Sequence, residues 1–454
     1  MSLSRAILFD DDLSRRLHAR LDHRLLHNDE RPVAVALSGG GDSVALLAMV
    51  CDWAKRSRRR VLALTVDHQL NPDGSSWSRE AERQARALGA DWAGLVWSGP
   101  KPETGLSAAA RAARHGLIAQ AAREAGARVV LFAHTADDIA EGLWMRSQGS
   151  TLGDLREWSP SPVWPHGRGL MLLRPLLGDR REGLRSWLKV RGVGWIEDPA
   201  NGDARFGRAR ARAALLRLGD VVPRAHGPAE RGLEPSSAEG VVADAFGLVT
   251  VSRHVPERAL ATAMVCAGGG AALPRRDRLM RIARRLATTE MFTSVLCGAR
   301  LSATEDAVVI SREAGEMMRR PVSPLVLEAG TTGVWDGRFE IKAGDHAATV
   351  HAAAGYLSRL SAEDRATLKV LPPAVRLTVP VLIRDRMDAP VLAWRSARVR
   401  CLVNERLALA LDQTTHEGHL TSVADGETPA SLLFRDARTQ DRHGTLPSGP
   451  PRTA

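Results

Sequence analysis

The sequence predicts a doubly wound, mostly parallel α/β sheet over its first half, followed by smaller helical and α+β domains. Three observations carry that expectation. Short apolar runs of strand length alternate with helical segments between residues 33 and 147, which implies right-handed crossovers and a parallel sheet covered on both faces. The first apolar run ends in a glycine-rich turn that leads into a helix, Ser38-Gly39-Gly40-Gly41-Asp42-Ser43. And 454 residues with 44% apolar content exceed one ordinary compact domain while supplying ample core.

Residues 11–28 place Leu13, Leu17, Leu21 and Leu25 at a helical period of four. Val33 to Leu37 reads as a buried strand and Val44 to Ala54 as the helix after the turn. The pattern then repeats: strand Val61–Val66, helix Ser75–Leu88, strand Trp92–Trp97, helix Leu106–Ala125, strand Arg128–Ala133, helix Asp137–Ser147. Residues 149–169, rich in Gly, Pro and Trp, are expected to form an ordered loop, and helix returns at Asp179–Val190. Pro223, Pro228 and Pro235 mark 220–240 as a break. Beyond it, a mixed region runs to about Arg320, and a third contains a strand-like run, Val375 to Leu382, interrupted by Pro380. The expected domains are therefore 1–215, 216–325 and 326–424. Residues 425–454, polar and aperiodic, are expected to be a disordered tail.

The formal charge of +11 and pI of about 10.5 point to a polyanionic partner. Only five of the 63 basic residues are lysine, so the charge sits on forks that can donate two hydrogen bonds to one phosphate; a general preference for Arg over Lys is the plainer reading. Cys51, Cys266, Cys297 and Cys401 form no CxxC pair and no zinc-ribbon spacing. Acidic residues near the start interrupt the apolar stretch that a signal peptide needs, and no apolar run approaches the roughly 18 residues of a membrane span. A cytoplasmic location, with no membrane partner, is the expectation.

The glycine-rich turn is where chemistry first becomes legible. Glycines let backbone N–H groups turn toward an anion, and the following helix contributes its positive end. Ser38 and Ser43 can donate hydroxyl hydrogen bonds, and Asp42 can hold a Mg²⁺ that bridges phosphates. No Gly-Lys pair exists anywhere in the chain, which excludes a Walker-type phosphate loop. The turn, with Ser38, Gly39, Gly40, Gly41, Asp42 and Ser43, is similar to the PP-loop of N-type ATP pyrophosphatases, which cleave ATP between its α- and β-phosphates.

Within that superfamily, further blocks resemble the tRNA(Ile)-lysidine synthetases. Val66-Asp67-His68 closes the second strand as in that family, although Gln69-Leu70-Asn71 stands where Gly-Leu-Arg is usual. Arg111 and Arg114-His115 resemble its Arg-x-x-Arg-aromatic helix. His134-Thr135-Ala136-Asp137-Asp138-Ile139-Ala140-Glu141 matches its His-x-x-Asp-Asp-x-x-Glu, with Gly142 in place of the usual Thr. Arg174-Pro175-Leu176 resembles its Arg-Pro-Leu block, and Glu197-Asp198-Pro199-Ala200-Asn201 its Glu-Asp-Pro-Ser-Asn. Arg208 to Arg212 resembles Arg-Asn-x-x-Arg, with Ala209 for Asn. The resemblance is strong over 33–212 and fainter beyond. The missing CxxC and the lack of a glutaminase segment point away from cysteine-paired thiolases and from GMP and asparagine synthetases.

The resemblance implies ATP and Mg²⁺, an isoleucine tRNA, free L-lysine, and a reaction in two steps. O2 of the wobble cytidine attacks the α-phosphate and releases pyrophosphate; the lysine amine then attacks C2 and AMP leaves. The second step needs a neutral amine, yet only about one lysine amine in two thousand is neutral at pH 7, so a general base has real value. The resemblance assigns that base to Asp137, with Asp138 or Asp42 as metal ligand, Asp67 and His68 at the nucleotide, and Glu141, His134 and Arg111 in the catalytic set. An aspartate at a helix start is also an ordinary cap, and His134 could simply pack. Arg111 and Arg114, one turn apart, could grip the α-phosphate, the RNA or the lysine carboxylate. Residues 168–212 carry eleven Lys or Arg against five Asp or Glu; Arg174, Arg205, Arg208, Arg210 and Arg212 are expected to face tRNA together with Arg114. A homodimer is left open. The competing readings are another PP-loop ligase, such as a tRNA thiolase or small-molecule amide ligase, and a non-catalytic RNA-binding relative.

Overall fold

The computed structural model describes residues 3–150, 153–197, 207–217, 240–384 and 389–424. They fall into two compact units: residues up to 217 together with 412–424, and residues 240–411. The expected disordered tail, 425–454, lies outside the described residues.

The first unit alternates as the sequence predicts: α1 (Leu3–Arg24), β1 (Val33–Ala36), α2 (Gly41–Ser57), β2 (Val61–Asp67), α3 (Gly74–Ala87), β3 (Asp91–Val96), α4 (Leu106–Glu124), β4 (Val129–Leu131), α5 (Ala136–Ser147), β5 (Trp158–Pro160), β6 (Met171–Leu173), α6 (Arg181–Val190) and α7 (Gly207–Arg217). The strands form one sheet in the order β3-β2-β1-β4-β6-β5. All pairs are parallel except β5 with β6. Val33, Ala34 and Val35 in β1 and all of β4 are buried, as a central parallel strand with helices on both faces requires. The topological reversal lies between β1 and β4, where the crossovers run to opposite sides. Ligands bind at the carboxyl ends of strands at such a point, and there β1 delivers the glycine-rich turn, β2 delivers Asp67-His68 and β4 delivers His134 to Asp138.

Two local expectations are corrected. Residues 149–169 are not all loop: β5 adds an antiparallel edge strand, with Trp158 opposite Leu173 and buried at 5% exposure. Three residues are too few for a periodic signal, and the pairing comes from β6. Pro380 does not interrupt a strand from Val375; it opens one, Pro380–Ile383, the position where a missing N–H is tolerated.

The last described segment returns to the first unit. Glu417 and Arg59 form a two-pronged ion pair, Nη1–Oε2 2.9 Å and Nη2–Oε1 3.0 Å, with both side chains at 0% exposure. Glu417 Oε2 also accepts the Leu26 N–H, while Thr414 and Thr415 carbonyls accept from Trp158 and Arg24. Residues 240–411 build an antiparallel five-stranded sheet and two smaller sheets around a core that includes Val251, Leu301, Phe339, Val350 and Val381. The expected boundary at 325/326 falls within that core. No helix among the described residues is long and apolar enough to cross a membrane.

Candidate active site

At the end of β1 the chain turns through Gly39, whose φ of +81° lies in the left-handed region that side chains disfavour. Space is tight as well: a Cβ on Gly39 would sit 2.5 Å from Ile196 Cδ1, so the end of that side chain would have to shift. The Ile196 N–H donates to the Gly39 carbonyl at 2.9 Å, so residues 195–197 lie along the turn. Ser43 Oγ donates to the Gly40 carbonyl (2.8 Å) and accepts the Ser38 N–H (3.2 Å), with Ser38 Oγ 3.1 Å away. The two hydroxyls thus brace the turn from within, and α2 starts at Gly41 with Asp42 in its first turn.

Facing it, α5 starts with a capping box: Thr135 N–H and Oγ both donate to Asp138 Oδ2, at 2.9 and 3.0 Å. That fixes Asp138 at the head of the helix. Burial would raise its carboxyl, but the Arg208 guanidinium, the Thr135 N–H and Arg181 hold it below the usual carboxylate range. Asp137 accepts the Arg181 backbone N–H at 2.8 Å, so the proposed base also ties α5 to the start of α6. Glu141, one turn on and 2% exposed, meets Arg181 Nη1 at 3.2 Å and Arg212 Nε at 3.0 Å, and its Oε2 has no hydrogen-bond partner among the described residues.

A residue missed in the sequence joins these parts. Arg181 Nε lies 2.9 Å from Asp42 Oδ2, its Nη1 reaches Glu141, and its Nη2 is 3.6 Å from Asp138 Oδ2. Burial pushes the Asp42 carboxyl upward, and this guanidinium opposes the shift. Nothing in Gly-Asp-Arg-Arg-Glu marks Arg181 from its neighbours; only the closure of α6 against α2 and α5 does.

The remaining expected residues divide. His134 is 9% exposed, and burial, with the Arg174 charge adding, lowers its pKa to about 3; it is neutral, accepting from Arg174 Nε at 3.2 Å. Arg174 is corrected from an RNA contact to an interior brace. Its side chain is 6% exposed, and its Nη1 donates to the Arg156 carbonyl and to Ser159 Oγ. Arg208 and Arg212 also turn inward: Arg208 Nη1 is 2.8 Å from Asp138 Oδ1. Arg210 is exposed, and Arg205 lies outside the described residues. Arg111 and Arg114 have no acidic partner within ion-pair distance among the described residues. Burial lowers both, Arg114 to about 10, with repulsion from Arg208 adding at Arg111 and from Arg111 and Arg208 at Arg114, a state that an anion would relieve. Asp67 Oδ1 accepts the Gln69 N–H at 2.8 Å, and His68 lies edge-on to Trp97, its pKa lowered by burial and then by the Arg114 charge.

The PP-loop domain model matches residues 13–218, the segment that carries all of these groups. A tRNA(Ile)-lysidine synthase of Caulobacter vibrioides is 47% identical over 405 residues, covering 87% of this chain and 97% of that protein. The chain belongs to the tRNA(Ile)-lysidine synthase family. Family members from Hyphomonas neptunium, 35% identical over 65% of this chain and 85% of that protein, and from Mesorhizobium japonicum, 33% over 83% and 86%, extend the match. The departures noted from the family pattern now have places. Gln69 sits at a φ of +53°, which explains why a glycine suits that position. A Cβ on Gly142 would meet nothing closer than 3.7 Å, so space at that atom does not require the glycine.

Proposed function

We propose that this protein uses ATP to ligate lysine to C2 of the wobble cytidine of an isoleucine tRNA with a CAU anticodon, through an adenylated cytidine. The observation that carries this reading is the meeting of the phosphate turn with the α5 carboxylates. Asp42 comes from one strand end and Asp138 and Glu141 from another, all within reach of one guanidinium. Adenylation needs an anion cradle with a metal-holding carboxylate; amine attack needs carboxylates that attract and deprotonate an ammonium. Both sets lie side by side here.

In this reading the turn from Ser38 to Ser43 receives the β- and γ-phosphates, Asp67 and His68 flank the nucleotide, and Arg111 and Arg114 receive the α-phosphate or the anticodon backbone. Asp137 takes the lysine proton, with Glu141 beside it. Asp42 and Asp138 would hold magnesium: the two carboxylates face one guanidinium, and Mg²⁺ characteristically uses one or two carboxylates plus phosphates. Bound there, it would neutralise charge developing on the phosphates. A cytoplasmic enzyme meeting free lysine and tRNA is the matching setting.

The test is mass analysis of tRNA nucleosides after incubation with ATP and lysine. Lysidine at the wobble position, with AMP and pyrophosphate formed only when tRNA is present, is the expected result. Pyrophosphate release without tRNA, or a sulfur-containing nucleoside, would replace the reading with another PP-loop chemistry.

A further inference from the structure

Four carboxylates and four guanidinium groups meet at the strand ends: Asp42, Asp137, Asp138 and Glu141 against Arg180, Arg181, Arg208 and Arg212. The guanidinium groups are not equivalent. Arg208 and Arg212 reach in from α7, each to one carboxylate of α5, and their side chains are 40% and 33% exposed. Arg181 is 17% exposed and touches three carboxylates on two helices. Among the described residues it is the cation that holds the Asp42 carboxylate.

That position conflicts with the metal. A Mg²⁺ ion shared by Asp42 and Asp138 needs oxygen ligands at about 2.0–2.1 Å. The guanidinium that now bridges those carboxylates would be a like charge in the same place. The structure also contains somewhere for it to go. Glu141 Oε2 is buried and lacks a partner among the described residues, while Oε1 of the same carboxylate already accepts from Arg181 and Arg212. A guanidinium released from Asp42 and Asp138 can satisfy Glu141 with both prongs, the strongest geometry an arginine has.

We propose that Arg181 is a resident cation that holds the Asp42–Asp138 pair until metal-bound nucleotide arrives, and then withdraws onto Glu141. Arg181 is thereby a positioning residue: it keeps the carboxylates together without nucleotide and makes metal binding depend on nucleotide. The idea rests on reading Asp42 and Asp138 as the metal's carboxylates, but its test requires neither tRNA nor lysine. Failure of the nucleoside assay and failure of this proposal are therefore separate results.

The experiment is Mn²⁺ titration of the full-length protein, followed by electron paramagnetic resonance, with and without a non-hydrolysable ATP analogue. Removing the competing charge in Arg181→Gln should tighten nucleotide-free Mn²⁺ binding by about ten-fold and shrink the enhancement that nucleotide brings, within the usual range of coupling between sites. Arg181→Lys, which keeps the charge, should stay close to wild type. Arg181→Met, which keeps the apolar stem, carries the same expectation as Arg181→Gln and replaces it should the glutamine variant not fold. Unchanged or weaker nucleotide-free Mn²⁺ binding in a folded Gln or Met variant overturns the proposal, as does an Arg181→Lys variant that tightens as much as they do.

Discussion

The heads of α2 and α5 both lie at carboxyl ends of parallel strands, and both begin with an aspartate in the first turn, but they are assembled in opposite ways. The α2 head is largely satisfied within a few residues: Ser38, Gly40 and Ser43 bond to one another. Beyond the local Thr135–Asp138 box, the α5 carboxylates are met by arginines that arrive from 40 to 71 residues downstream. A short-range motif can be read as a word in the sequence. A charge cluster drawn from three helices cannot, and its members change meaning when the chain closes.

The largest effect should come from breaking the local side. Asp42→Ala removes the carboxylate beside the phosphate turn, and tRNA-dependent pyrophosphate release is expected to fall by about a thousand-fold or more. Release at the wild-type rate by the folded variant would take Asp42 out of the mechanism. Glu417→Gln addresses the frame that supports both heads. It leaves the Arg59 charge buried against a neutral partner, at a cost of about 3 kcal/mol, and should lower the thermal midpoint by several degrees. A midpoint unmoved by this change would mean that the C-terminal segment does not stabilise the first unit.

Asp137→Asn sharpens the comparison on the α5 side. The amide can still accept the Arg181 N–H but cannot take a proton from the lysine ammonium. Lysine transfer should slow about a hundred-fold while adenylation suffers less, so adenylated tRNA accumulates. Higher pH should restore part of the transfer, because more lysine is then neutral without help. Equal loss of both steps with no gain at high pH would reduce Asp137 to a helix tie, and Glu141 would be the next base to test.

The smaller effects lie away from the cluster. Arg208 and Arg212 are committed to Asp138 and Glu141, so neutralising them would confuse RNA binding with site assembly; Arg210, on the same helix, is the most exposed of the three. Arg210→Gln should weaken tRNA binding a few-fold and reduce the log–log salt slope by about one. An unchanged slope would make this a solvated face. Gln69→Gly should raise stability by about 0.5 kcal/mol in a denaturant titration, since glycine relieves a left-handed φ at a lesser entropic cost. A destabilised variant would mean that the Gln69 side chain contributes more than its backbone strain removes.

By itself the sequence determined the alternating α/β order, the phosphate turn and the paired aspartates. Each of these depends on neighbours a few residues apart: apolar runs of strand length, glycines that free the backbone, an aspartate placed to cap a helix. Tertiary structure alone decided what the arginines do. Arg174 and Arg210 carry the same side chain in one basic stretch, yet one is an interior brace bonded to His134 and the other is exposed. Arg181 is indistinguishable from Arg180 until α6 closes on α2 and α5. The reason is physical: a guanidinium on a long stem takes its role from the acceptors within its reach, and those acceptors come from helices that sequence distance does not relate.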